Sequence, residues 1–167
     1  IVGIIGSGGR EHALCESLKK SNKITKIYCF PGNAGTSVIA ENIEINLDDF
    51  ENLKNFILEK KIEIIIIGPE GPLVNGLTDY LEKNGIKVFG PNKIASQLEG
   101  SKIFTKKVCE KYSIPTAKFG VYSNYVDAYS FIKNCKHPIV VKADGLAAGK
   151  GVYICETIEQ SKKAIEE

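Results

Sequence analysis

Short apolar runs alternate with amphipathic stretches along the first hundred residues. Ile1–Ile5 and Lys26–Phe30 read as strands, with Arg10–Ser21 as the helix between them. Ile43–Ile45 has the length of a short third strand. Leu47–Lys60 sets Leu47, Phe50, Leu53, Phe56 and Ile57 on one side at helical spacing. Asp48 and Asp49 stand at its start, where acidic groups suit the helix dipole. Ile62–Ile67 is a fourth strand, Leu73–Lys83 a helix closed by Asn84-Gly85, and Ile86–Phe89 a fifth strand. Strands this short, separated by helices, predict parallel βαβ units. Their nearly unbroken apolar character fits a sheet covered on both faces. The expected fold class is α/β: a Rossmann-like parallel sheet followed by the beginning of an α+β domain.

The pattern changes after Phe89. Lys93–Leu98 and Ser101–Tyr112 read as helices, and Ile114-Pro115-Thr116 breaks the run. Lys118–Val121, Pro138–Lys142 and Val152–Cys155 follow as strands, with Tyr125–Lys133 and Ile158–Ile165 as helices. A domain boundary is expected near Ile114–Ala117. Residues 1–100 then form the first domain, 101–115 a helical connection and 116–167 the start of a second domain.

Charge changes little in this picture. A formal net charge of +2, with lysines spread along the chain, gives no reason to expect nucleic acid or an anionic membrane as partner. No apolar run approaches a membrane span; the longest, Ile64–Ile67, suits a buried strand. The five cysteines form no CxxC pair, so neither a zinc site nor a disulfide framework is indicated. Buried, reduced thiols in a cytoplasmic protein are expected. The chain starts at Ile1 and holds no methionine, which reads as a trimmed chain or a piece of a longer one.

Candidate chemistry sits in glycine-bearing turns. Gly6-Ser7-Gly8-Gly9-Arg10-Glu11-His12 follows a strand and opens a helix, so backbone N–H groups face out at its positive end and favour phosphate. A dinucleotide fingerprint is disfavoured. Glu11 stands where the third glycine belongs, and no acid follows the second strand, which ends Tyr28-Cys29-Phe30-Pro31. Pro31–Thr36 and Gly68–Leu73 follow the second and fourth strands. In an open α/β sheet such loops line one ligand crevice. Glu70 is the acidic side chain there suited to a sugar hydroxyl; a plain helix-start charge is the alternative. His12 is expected to pack under the loop.

The stretch Val140–Val152 carries the most information. It resembles a Walker loop, but Gly145 and Gly149 lie one residue too close, Lys150 precedes Gly151 rather than Ser or Thr, and a strand follows. The reading is a mobile loop between two antiparallel strands that can fold over a triphosphate. Lys142 and Lys150 supply cations; an exposed hairpin is the alternative.

Taken in order, Gly-x-Gly-Gly-Arg-Glu-His (residues 6–12), Pro-Gly-Asn-Ala-Gly-Thr (31–36), Gly-Pro-Glu-x-Pro-Leu-Val (68–74), Phe-Gly-Pro (89–91), Leu-Glu-Gly-Ser-Lys-x-Phe-x-Lys (98–106), Ile-Pro-Thr-Ala (114–117) and Lys-Ala-Asp-Gly-Leu-Ala-Ala-Gly-Lys-Gly-Val (142–152) resemble the phosphoribosylamine–glycine ligases of the ATP-grasp superfamily. The resemblance implies ligation of glycine to 5-phosphoribosylamine, with ATP consumed through a glycyl phosphate, in purine biosynthesis. It implies that Lys102, Lys142, Gly145, Ala147, Ala148, Gly149, Lys150 and Gly151 bind ATP. It implies that Gly8, Gly9, Arg10, Glu11, Asn33, Gly35 and Glu70 line the phosphoribosyl site. Magnesium (or manganese), the adenine pocket and the glycine site would use residues beyond 167, so turnover by this chain alone is not expected and none of its residues is assigned to a metal. Alternatives are another ATP-grasp carboxylate–amine ligase and a non-catalytic nucleotide- or phosphate-binding module.

Overall fold

A computed structural model of the protein describes residues 1–147 and 149–167. It divides into two compact units, Ile1–Gln97 and Leu98–Glu167.

In the first unit, β1 (Val2–Gly6), β2 (Ile27–Pro31), β3 (Glu41–Asn42), β4 (Ile64–Ile67) and β5 (Lys87–Phe89) form one parallel sheet in the order β3-β2-β1-β4-β5. The strand alternation sends side chains to two separate cores. On one face Val2, Ile4, Ile27 and Cys29 pack with Cys15 and Leu18 of α1 (Gly9–Lys19). On the other, Ile5, Phe30, Ile65 and Ile67 meet Leu53 and Ile57 of α2 (Phe50–Glu59). Leu73 of α3 (Glu70–Asn75) and Leu77 and Leu81 of α4 (Leu77–Lys83) complete that core. Ile4, Ile5, Phe30, Leu53, Ile57 and Ile65 are fully buried, each stabilising the fold by roughly 1.5–3 kcal/mol. This two-sided cover is the arrangement that the apolar strands predict.

In the first unit, three elements differ from the sequence pattern. The third strand is Glu41–Asn42 rather than Ile43–Ile45, whose isoleucines pack on the core from the following segment. α2 starts at Phe50, because Asp49 caps it by accepting from Asn52 N–H. The expected helix Leu73–Lys83 starts earlier and is broken in two at Gly76, whose φ of +95° is left-handed.

α5 (Lys93–Gly100) carries the chain into the second unit. There α6 (Lys102–Lys111), α7 (Tyr125–Ile132) and α8 (Ile158–Glu166) accompany an antiparallel pair, β6 (Ile139–Lys142) and β7 (Val152–Cys155). Lys118–Val121 forms no strand. α8 lies on the β6–β7 pair and α7 against α8. Thr157 and Gln160 cap α8 reciprocally. Among the described residues, no helix is long and apolar enough to cross a membrane.

All five cysteines are free thiols. Burial raises the Cys15 thiol above its ordinary range, and burial, then the neighbouring Cys15, pushes Cys29 up to about 12. Cys15, Cys29 and Cys155 are buried, whereas Cys109 and Cys135 are partly exposed. Titration of the native protein with a thiol reagent at pH 8 is therefore expected to modify Cys109 and Cys135 and to spare the other three until denaturant is added. Equal rates at all five would contradict this packing.

Candidate functional site

The parallel sheet brings the tips of β1, β2 and β4 side by side. The ladder runs on into the loops: Gly32 N–H donates to Gly6 O and Gly68 N–H to Ile5 O, both at 3.1 Å. The turn after β1 needs Gly6, whose φ is +128°. Gly8 N–H donates to Glu11 Oε2 at 2.6 Å, so the first turn of α1 closes on its own carboxylate. Glu11 is only 2% exposed. Its body lies against Gly6 and Gly68, where an added Cβ would come within 2.7 Å of its Cδ. Oε1 is buried and without a hydrogen-bond partner among the described residues. Glu11 thus stands beneath the loops and away from their open surface.

Asn33 ties two of these loops together. Its Nδ2 donates to Ser7 O at 2.9 Å and Gly8 O at 3.2 Å. Its Oδ1 accepts from Gly35 N–H at 2.7 Å and Thr36 N–H at 3.0 Å. Beneath it, buried Thr36 accepts from Asn33 N–H at 2.7 Å and donates to Asn42 Oδ1 at 2.8 Å. Asn42 Nδ2 returns to Asn33 O at 2.8 Å. That closed network explains why Asn42 lies in the third strand. His12 sits against Gly35, under the loop as expected.

Arg10 and Glu70 pair across the mouth at 3.3 Å, with side chains 69% and 44% exposed. The amide of Glu70 itself and then Arg10 hold its carboxyl below the usual range. A pair so open contributes little to stability, so a ligand can displace it cheaply. Gly9 has no positive φ, and a Cβ there would meet nothing within 4 Å. Packing does not require glycine at that position; what its bareness leaves clear is the approach to the amino end of α1, where amides favour an anion.

In the second unit the loop between β6 and β7 is closed at its base by Ala143 N–H donating to Gly151 O at 2.8 Å. Gly145, Gly149 and Gly151 all have positive φ, at +94°, +80° and +68°. Ala147 O accepts from Lys150 N–H at 2.8 Å. Ala148 lies outside the described residues. Lys102 Nζ donates to Gly145 O at 2.8 Å, so this lysine meets the loop although some forty residues separate them. Lys142 ends β6 opposite Val152. On that face of the pair Val140, Val152 and Ile154 are 50%, 46% and 71% exposed. An apolar strip ending in a lysine, beside a loop of small residues, can accept a flat ring with an anionic tail. Among the described residues no three His, Cys, Asp or Glu side chains converge on a metal-sized space.

Two family matches run end to end along this chain. The family described as "Phosphoribosylglycinamide synthetase, N domain" matches residues 1–99, and "Phosphoribosylglycinamide synthetase, ATP-grasp (A) domain" matches residues 100–167. The chain belongs to the phosphoribosylglycinamide synthetase family. Curated members named phosphoribosylamine–glycine ligase are 47% identical in Caldanaerobacter subterraneus subsp. tengcongensis and 48% identical in Brucella melitensis, each over 98% of this chain. The chain spans 39% and 38% of their lengths. The crystal structure of phosphoribosylamine–glycine ligase from Thermotoga maritima superposes with a TM-score of 0.77 at 35% identity, over 97% of this chain and 37% of that one.

The phosphoribosylglycinamide synthetase motifs at 6–12, 31–36, 68–74 and 89–91 therefore sit at strand tips of the first unit, while in the second 98–106 leads into α6, 114–117 follows it and 142–152 forms the β6–β7 loop. The motifs contain Thr36, Ser101 and Asp144 without giving them a role, and Asn42 lies outside them; all four help to build those loops. A serine directly before α6 and an Asp-Gly at the loop's start are the signals that could have found the last two.

Proposed function

We propose that the full-length protein joins glycine to 5-phosphoribosylamine at the expense of ATP, giving glycinamide ribonucleotide, ADP and phosphate. The observation that carries this reading is the consecutive match of both synthetase domains over the whole chain. In this reading Gly8, Gly9 and the amino end of α1 receive the 5-phosphate. Arg10 and Glu70 exchange their mutual pair for contacts with the phosphate and a ribose hydroxyl, while Glu11, Asn33 and Gly35 keep the loops in shape. The β6–β7 loop, with Gly145, Ala147, Gly149, Lys150 and Gly151, closes over the triphosphate, and Ala148 is proposed to belong to the same loop.

Lys102 and Lys142 stabilise the charge that builds on the γ-phosphoryl group as it passes to the glycine carboxylate. The substrate amine then attacks the acyl carbon and phosphate leaves. Magnesium, bound with the nucleotide, would neutralise phosphate charge; among the described residues no donor set for it gathers.

The test is phosphate release by the full-length protein. Release is expected only when ATP, glycine and phosphoribosylamine are all present. Lys142→Ala is expected to lower kcat by roughly 100-fold, the size of effect seen when one preorganised donor is removed. Phosphate release without glycine, or a product lacking the ribose phosphate, would sink the reading.

A further inference from the structure

We propose that Asp144 is a positioning residue that fastens the start of the β6–β7 loop to the amino end of α6 and thereby sets Lys102 for ATP. This rests on the reading that the loop and Lys102 serve ATP.

The contacts form a closed set. Ser101 is the N-cap of α6, and its hydroxyl accepts from Phe104 N–H at 3.0 Å. The same hydroxyl faces both Asp144 oxygens, at 3.1 and 3.0 Å. Asp144 Oδ1 also accepts from Ile103 N–H at 3.1 Å. Lys102 then donates its ammonium to Gly145 O at 2.8 Å. Ser101, Lys102 and Ile103 thus hold Asp144 and Gly145.

Two orphan amides at the helix start find partners in this way, Phe104 N–H on the cap and Ile103 N–H on a carboxylate from a distant segment. An anion at that end is favoured by the helix dipole. Burial alone would raise the Asp144 carboxyl. The Ile103 amide, the Ser101 hydroxyl and the amides of Gly145 and Lys102 outweigh it and hold the group below its ordinary value.

The anchor lies beside a pivot. Gly145, with φ +94°, turns the chain directly after Asp144. The other side of the loop base is held by Ala143 N–H on Gly151 O at 2.8 Å. With both sides held, the carbonyl of Gly145 is presented to the Lys102 ammonium. Removing the Asp144 carboxylate frees the loop's first turn from α6 and lets Lys102 swing. Glutamate at this position would carry its carboxylate one methylene too far; asparagine keeps one acceptor for Ile103 N–H.

The experiment uses the full-length protein and compares Asp144→Ala, Ser101→Ala, their double variant and Asp144→Asn. Affinities for a non-hydrolysable ATP analogue and for ribose 5-phosphate are measured by calorimetry. Asp144→Ala is expected to weaken the ATP analogue about tenfold or more, the loss of one or two charge-assisted hydrogen bonds. Ribose 5-phosphate should stay within about twofold of the unaltered protein, since its proposed site belongs to the first unit and shares no hydrogen-bond partner with Asp144. The double variant should be no weaker than Asp144→Ala by more than about twofold, because both side chains act through one contact.

Asp144→Asn should recover part of the lost affinity. Unaltered ATP affinity in Asp144→Ala overturns the inference. An equal loss for both ligands overturns it too, because that reports general unfolding. If the unsubstituted protein binds no ATP analogue at all, the proposed function fails, and this inference with it.

Discussion

Replacing Gly68 with alanine is expected to destabilise the protein by about 2–4 kcal/mol, combining roughly 1–3 for overpacking with part of a charge-assisted hydrogen bond. The new methyl group would overlap Glu11 Oε1 and lie 2.7 Å from Cδ. Such a clash is mild when a flexible side chain can turn away. Glu11 cannot: it is 2% exposed, its Oε2 is held by Gly8 N–H at 2.6 Å, and Gly6 crowds it from another side. Relief must come from the loop after β4, at the expense of Gly68 N–H on Ile5 O, or from Glu11, which then abandons Gly8. Chemical denaturation should show a lower midpoint with an unchanged slope. Glu11→Ala removes the obstacle, so the double variant should be more stable than the sum of the single losses predicts, by about 1 kcal/mol or more. Simple additivity would mean that the two residues do not press on each other.

Asn33→Ala should be the second large loss, about 2 kcal/mol. Four hydrogen bonds disappear together. Each contributes roughly 0.5–1.5 kcal/mol, and the half-exposed loop lets water recover some of them. A functional effect of comparable size is expected beside the loss of stability. Without Nδ2 the turn after β2 is no longer tied to Ser7 and Gly8, and ribose 5-phosphate affinity in the full-length protein should fall about tenfold, or by about 1.4 kcal/mol. Asn33→Asp separates the two halves of the role. It keeps an acceptor for Gly35 and Thr36 but sets a carboxylate against the carbonyls of Ser7 and Gly8. Stability should then be mostly retained while affinity is still lost. If Asp binds as well as Asn, the tie between the loops is irrelevant to binding.

Much of this architecture is legible in the chain because its signals are local. The apolar runs at Val2–Ile5 and Ile64–Ile67 need burial on both faces, and the parallel sheet supplies it. Gly6-Ser7-Gly8-Gly9 and Gly145–Gly151 announce tight turns by composition alone. What the pattern conceals is what depends on distant partners. Ile43 and Ile45 attract a strand assignment, yet the ladder takes Glu41–Asn42, since Asn42 must reach the turn at Asn33 and Thr36. Asn75-Gly76 interrupts a helix that hydrophobic spacing would carry through. Lys118–Val121 has strand-like composition, but pairing needs a neighbour that periodicity cannot reveal. The resemblance sets Glu11 among residues lining the phosphoribosyl site, and only burial shows its side chain turned inward. Asp144 finds its partner more than forty positions upstream.

The order β3-β2-β1-β4-β5 also bears on how the sheet is put together. Its central strand comes earliest of the five, and each later strand joins at a free margin, first outward on one flank and then outward on the other. No strand has to be threaded between two already bonded. The tips of β1 and β2, which carry Gly8 and Asn33, can be joined before β4 arrives with Gly68, so the crevice at the strand tips can assemble in the same sequence in which a ribosome delivers its parts.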